Sequence, residues 1–145
     1  MSSIFLAKSI ELQVSVSNAE EAIRKAGGLL VKSDYATNEF VEDMVKVYNE
    51  LGSYIVIAPG LALPHARPEA GAKQNGFSLI TLKNPIYFGH RTNDPVRVVI
   101  GMSAINNNAH VKSLMILADK LGEEGIINQV ADAKTAEQIV EIFKT

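Results

Sequence analysis

The chain has no cysteine and no tryptophan, and only three histidines among its 145 residues. Without cysteine there is no disulfide framework, no thiolate nucleophile and no thiolate metal site, a composition suited to a reducing compartment such as the cytoplasm, which is the expected location. An excess of charge of one sign is also missing. Lys and Arg total 14 against 16 Asp and Glu, a formal net charge of −2, so nucleic acid and anionic membrane surfaces are not expected partners. No window approaches the roughly 18–20 consecutive apolar residues of a membrane span, and the N-terminal stretch lacks a basic segment leading into an apolar run. Direct membrane insertion and signal-directed export are therefore not expected. Gly60, Gly71 and Gly76 lack the spacing of a Walker or dinucleotide loop, and no serine stands in a G-x-S-x-G elbow. The histidines lack a ligand spacing such as H-x-x-x-H. No cofactor and no metal are expected.

What is present reads as one α/β domain over residues 1–145, in line with the usual domain size. Ile10, Leu12, Val14 and Val16 alternate with polar residues, the pattern of a strand with one buried face. Ser17 and Glu20 have capping-box spacing ahead of Ala19, Ala22, Ile23, Ala26, Leu29 and Leu30, which recur at helical intervals. Thr37 or Asn38 caps a second predicted helix bearing Val41, Met44, Val45, Tyr48 and Leu51 on one face and closed by Gly52. Strands are predicted at Tyr54 to Ile57, Phe77 to Leu82, Ile86 to Phe88 and Val96 to Met102, with turns at Asn84-Pro85 and Asn93-Asp94-Pro95. Asn106 to Asn108 can cap a helix with Val111, Leu114, Met115, Ala118 and Leu121 as its buried stripe, ending at Gly122. A short helix is expected around Ile126, Ile127 and Val130. Thr135 and Gln138 then open a last amphipathic helix carrying Ala136, Ile139, Val140 and Phe143. The sum is a mixed sheet of about five strands flanked by helices.

Between Ala58 and Gly76 neither period holds, and a loop of that length in a compact domain is commonly functional. It contains APGLALPHARPE, with His65 between Pro64 and Pro68. Pro64 fixes its own φ, and Pro68 restricts Arg67 to extended conformations, so the imidazole sits on a stiff segment. With an ordinary pKa near 6.5, a neutral imidazole is a competent nucleophile at neutral pH. A histidine in a loop is more often a surface or structural residue than a catalyst, and at His90, beside a glycine in a turn, that is the preferred reading. The carboxylate pairs Glu20-Glu21 and Glu123-Glu124 fit solvated helix starts.

APGLALPHARPE, FGHRTNDPV at Phe88 to Val96 and NNNAHVKSLMILADKL at Asn106 to Leu121 together resemble the enzyme IIA domains of the bacterial phosphoenolpyruvate-dependent sugar phosphotransferase system. Within the mannitol/fructose class the likeness is greatest to the ascorbate-type branch, and it runs over essentially the whole chain. It implies a phosphocarrier in which His65 accepts a phosphoryl group on Nε2 from the histidine phosphocarrier protein and passes it to a cysteine of enzyme IIB. It implies a second active-site histidine at His110, which at a helix start can donate a hydrogen bond to phosphoryl oxygens beside free amides from about Asn108 onward. Mannitol-type members carry an arginine where this chain has Asn49, so charge stabilisation falls to backbone amides, His110, Asn49 itself as a neutral donor, and Arg67, which can equally pair with Glu69. Leu61, Leu63 and Pro64 form either an apolar collar for the two partners or, just as readily, part of the core against the sheet; the partner interfaces are expected to be transient, near or below about 1,200 Å². A homodimer is allowed but not required. The alternative is a regulatory relative uncoupled from transport.

Overall fold

The computed structural model describes residues 3–144. Its elements run β1 (Ile10–Val14), α1 (Ala19–Lys32), α2 (Asn38–Leu51), β2 (Val56–Ala58), β3 (Leu61–Ala62), β4 (Gly76–Ile86), β5 (Val96–Ser103), α3 (Asn107–Leu121), α4 (Ile126–Ala131) and α5 (Ala136–Ile142). The five strands form one mixed sheet in the order β1-β4-β5-β3-β2. β1 runs parallel to β4 and β3 parallel to β5, whereas the β4/β5 and β2/β3 pairs are antiparallel. The α/β class expected from the sequence holds.

Alternation along the central strands divides the core. Ile80, Leu82 and Val99 face α1 and α2, where Ile23, Leu30, Phe40 and Met44 complete one cluster. Leu79, Val98, Ile100 and Met102 face the opposite way, against Leu117, Ile126, Val130, Ile139 and Phe143 of the other helices. Each of these apolar side chains contributes about 1.5–3 kcal/mol by leaving water. The sheet is therefore covered on both faces, as a mixed sheet rich in central apolar residues requires.

Several boundaries differ from the sequence reading for local reasons. The first helix is capped by Asn18, whose side chain accepts from Glu21 N at 2.9 Å, one residue beyond the expected Ser17/Glu20 box. Tyr54 is 83 % exposed in a 3-10 turn over Gly52–Ile55, so the strand begins only at Val56. Gly52 does close α2 with a positive φ of 65°. Asn84-Pro85 makes no turn. It lies within β4, whose pairing with β5 shifts register between Thr81 and Ile86, an irregularity that lets a proline stand in a strand. The predicted Ile86–Phe88 strand is thus partly the end of β4, and the fifth member of the sheet is the unforeseen β3. On α3 the buried stripe is Leu117 flanked by Leu114 and Leu121, while Val111 and Met115 are 56 % and 64 % exposed. The Thr135/Gln138 capping box forms as expected at α5.

Candidate active site

β2 and β3 are joined by Pro59-Gly60, with Gly60 at φ 81°, the positive angle that the third residue of a tight Pro-Gly turn requires. This turn folds the chain back so that Leu61 and Ala62 pair with Val98 and Val99 in the sheet interior. The chain then leaves the sheet alongside the end of β5. Pro64 O accepts from Met102 N at 3.3 Å, and His65 makes one further parallel bridge to Met102. Farther on, Gly71 adopts φ 138°, and its carbonyl accepts from Thr37 N at 3.0 Å, fastening the loop to the start of α2. A side chain at Gly71 would run into the Thr37 hydroxyl. The loop carrying His65 is thus anchored at both ends, consistent with the stiffness expected from its prolines.

His110 arrives from the other direction. β5 ends at Ser103, and α3 starts at Asn107 with Asn106 as its N-cap, the cap side chain accepting from Ala109 N at 2.8 Å. His110 therefore sits in the first turn of α3, and the two imidazoles meet where the parallel pair β3/β5 ends, the position at which open α/β sheets bind ligands. Their centroids are 5.4 Å apart with the ring planes at 67°. A cavity of about 500 Å³ opens there, lined by both histidines, by Arg67, Pro68 and Asn107, and by the α2 face Asp43, Lys46, Val47, Glu50 and Leu51.

His65 is half-buried, and its Nδ1 lies 3.0 Å from Leu63 O. A carbonyl only accepts, so this bond places the ring proton on Nδ1 and leaves the lone pair on Nε2. His110 has a pKa below the ordinary histidine value, first because burial penalises its charged form and second because His65 stands beside it. A neutral His110 can donate one N–H without bringing a full positive charge. The Arg67 guanidinium grips Asp43 through Nη2 at 3.2 Å and Nε at 3.5 Å, and Arg67 N donates to the same carboxylate at 3.2 Å. That carboxylate raises the already high pKa of Arg67. Lys46 and Glu50 face each other across one helical turn at 4.0 Å. The cations and carboxylates at the rim are balanced.

Of the expected site residues, the structure brings His65, His110 and Arg67 together and pairs Arg67 with Asp43 rather than Glu69. Asn49 is exposed on α2 and does not line the cavity, because the face of that helix turned to His65 carries Asp43, Lys46, Val47 and Glu50. Asn107 rather than Asn108 lines it, as the first residue of α3. Of the two readings of Leu61, Leu63 and Pro64, the exposed collar is overturned and burial against the sheet holds. Leu61 and Leu63 are 0 % and 3 % exposed, and Pro64 is buried with them, because β3 lies between β2 and β5 and sends both leucines into the core under Leu117. Leu51, exposed at the end of α2, lines the cavity instead, and Val111 and Met115 are exposed on α3, the helix that carries His110. His90 lies in a separate loop, where Nδ1 accepts from Thr92 N and Asn93 N at 3.1 and 2.9 Å.

Asp43, Lys46 and Glu50 were not anticipated. Their signal was a spacing of three and four residues, which on an amphipathic helix reads as solvated surface. Asp43, set between exposed Glu42 and buried Met44, is the one of the three that is buried.

The family described as phosphoenolpyruvate-dependent sugar phosphotransferase system, EIIA 2, matches residues 3–145. The ascorbate-specific PTS system EIIA component of Escherichia coli strain K12 is 36 % identical over 137 residues, 94 % of this chain and 89 % of that protein. The solution structure of the mannitol-specific cryptic phosphotransferase enzyme IIA CmtB from Escherichia coli superposes with a TM-score of 0.85 at 31 % identity, over 97 % of this chain and 95 % of that one. A complex of enzyme IIA for mannitol with phosphorylated enzyme IIB, also from Escherichia coli, contains a chain similar at a TM-score of 0.84 and 28 % identity, covering 96 % of each.

Proposed function

The chain belongs to the EIIA 2 family of the phosphoenolpyruvate-dependent sugar phosphotransferase system, and from that premise we propose that His65 is its phosphoryl-carrying residue. The observation that carries the proposal is the bond from Nδ1 to Leu63 O, which commits the nucleophilic lone pair to Nε2 on the cavity side of a stiff loop. Nε2 attacks the phosphorus of a donor phosphohistidine on the histidine phosphocarrier protein. The N–P bond to the donor breaks, and its electron pair returns to the donor ring. In the second half-reaction a cysteine thiolate of enzyme IIB attacks the same phosphorus, and the pair of the Nε2–P bond returns to His65. Phosphoryl transfer of this kind asks chiefly for alignment and for stabilisation of charge on the three peripheral oxygens. His110 supplies a neutral N–H, Asn107 and its neighbouring amides an N-terminal helix site, and Arg67 a cation.

The exposed side chains Leu51, Val111 and Met115 serve as the apolar contacts for both partners, in place of the buried Leu61, Leu63 and Pro64. The names of the ascorbate-specific relatives support ascorbate as the substrate of the associated transporter, and working at the cytoplasmic face of that transporter follows from the same role. Among the described residues no helix is long and apolar enough to cross a membrane.

The test is incubation with phosphoenolpyruvate, enzyme I and the phosphocarrier protein. Mass spectrometry should find one phosphoryl group per chain, acid-labile and alkali-stable, located on the His65 peptide. Finding no labelling, or a label on another residue, would refute the assignment.

A further inference from the structure

The Asp43 carboxylate is 8 % exposed on the side chain, yet it belongs to no catalytic step described so far. A carboxylate buried to that degree needs compensating donors. Among the described residues it obtains them entirely from Arg67: Arg67 N donates to Oδ2, Nε to Oδ2 and Nη2 to Oδ1. Arg67 itself remains 63 % exposed, so its long side chain would otherwise move among rotamers at the mouth of the cavity. The side-on grip uses one edge of the guanidinium and leaves Nη1 without a protein partner among the described residues. Because the backbone amide of Arg67 is bound as well, Asp43 also fixes the peptide two residues beyond His65. Lys46, the other cation lining the cavity, lacks such a hold. Its partner Glu50 is 62 % exposed and 4.0 Å away.

We propose that Asp43 is a positioning residue that holds the Arg67 guanidinium ready for the phosphoryl group on His65, so that a carboxylate on α2 governs the transfer rate without touching phosphorus. The inference rests on His65 as the carrier. Its chemistry is preorganisation: Arg67 loses its rotamer freedom in the folded protein rather than during transfer, and the free Nη1 edge presents donors to the oxygens that gain charge. A negative residue beside the site thereby favours a negatively charged transition state, an effect opposite to that of its own charge.

The experiment is single-turnover phosphorylation of the full chain by the phosphorylated histidine phosphocarrier protein, over a range of donor concentrations. Arg67→Gln should lower the saturated rate by about 100-fold. Asp43→Asn, which keeps an acceptor oxygen but loses the two-oxygen grip, should lower it by about 10-fold, with the half-saturating donor concentration unchanged within about twofold. Because Asp43 acts through Arg67, the double variant should be no slower than Arg67→Gln alone. A double variant in which the two losses multiply, or an Asp43→Asn protein as fast as the wild type, would overturn the proposal. If Asp43→Asn does not fold, Asp43→Glu takes its place: slower transfer at unchanged half-saturation supports the proposal, and a wild-type rate defeats it. Failure of the wild-type chain to accept any phosphoryl group would instead strike at His65 itself, a separate result.

Discussion

Two loops of this molecule each hold a histidine close to a proline, and the backbone uses the two rings in opposite ways. At His65, Nδ1–H donates a hydrogen bond to Leu63 O, and Nε2 of this cavity-lining ring keeps its lone pair. At His90, Nδ1 instead accepts from Thr92 N and Asn93 N, so the lone pair is spent on holding a turn. The turn is further secured by Asp94, which accepts from the amides of Phe88, Gly89 and His90 between 2.8 and 3.0 Å. A histidine becomes a nucleophile or a staple according to which of its nitrogens the main chain claims. Residue type and proline neighbours do not make that distinction.

The sharpest way to break the comparison is to remove each ring in turn. His65→Ala should abolish phosphoryl uptake from the phosphocarrier protein, measured by intact mass, while the thermal melt changes little. His90→Ala should still be labelled fully, yet unfold at lower denaturant, by about 1 kcal/mol, since two turn amides lose their acceptor. Labelled His65→Ala or unlabelled but folded His90→Ala would reverse the roles assigned to the loops. Asp94→Ala sharpens the structural half, because an ionised acceptor serving three amides is worth more than a neutral ring. Its loss should cost about 2–3 kcal/mol in urea unfolding, with labelling of the folded protein retained. A cost below that of His90→Ala would mean that solvent satisfies those amides readily.

The same contrast marks how much could be read before folding. Periodicity was enough for α1, α2, β5 and α5, where apolar residues recur at one spacing and caps are local. The proline-braced loop of His65, the place of His110 at a helix start and the structural use of His90 were also legible, whereas the meeting of the first two at one cavity was implied only by the family resemblance, and the partner of Arg67 was not legible. Other features depended on distant partners. β3 is only two residues long and exists because Leu61 and Ala62 find Val98 and Val99, far along the chain. Its burial takes Leu61 and Leu63 off the surface, while Leu51, Val111 and Met115 are exposed. Exposure of an apolar residue is a tertiary property, and neither LALP nor VKSLM encodes it locally. Likewise, Asn49 and Asp43 stand on one helix, and only the angle at which α2 meets the His65 loop determines which of them reaches the site.

The smallest expected effect concerns the second ring at the site. His110 titrates below the ordinary histidine value because burial and His65 oppose its charge, whereas in the unfolded chain its pKa returns to about 6.5. Above that pH the group is neutral in both states and leaves stability unchanged. As the pH falls below about 6.5 the unfolded chain takes up the proton first, so the folded state loses stability until the pH passes the lowered folded value. Urea midpoints measured from pH 7.5 down to pH 5 should therefore fall less steeply in His110→Gln than in the wild type. Placing a phosphoryl group on His65 substitutes an anion for a neutral ring, and the sign then changes: the dianion favours protonated His110 and should raise its pKa, followed by NMR of its ring carbon protons. An unchanged titration after phosphorylation would mean that His110 does not face the phosphoryl group, leaving Arg67 and the first amides of α3 to stabilise it.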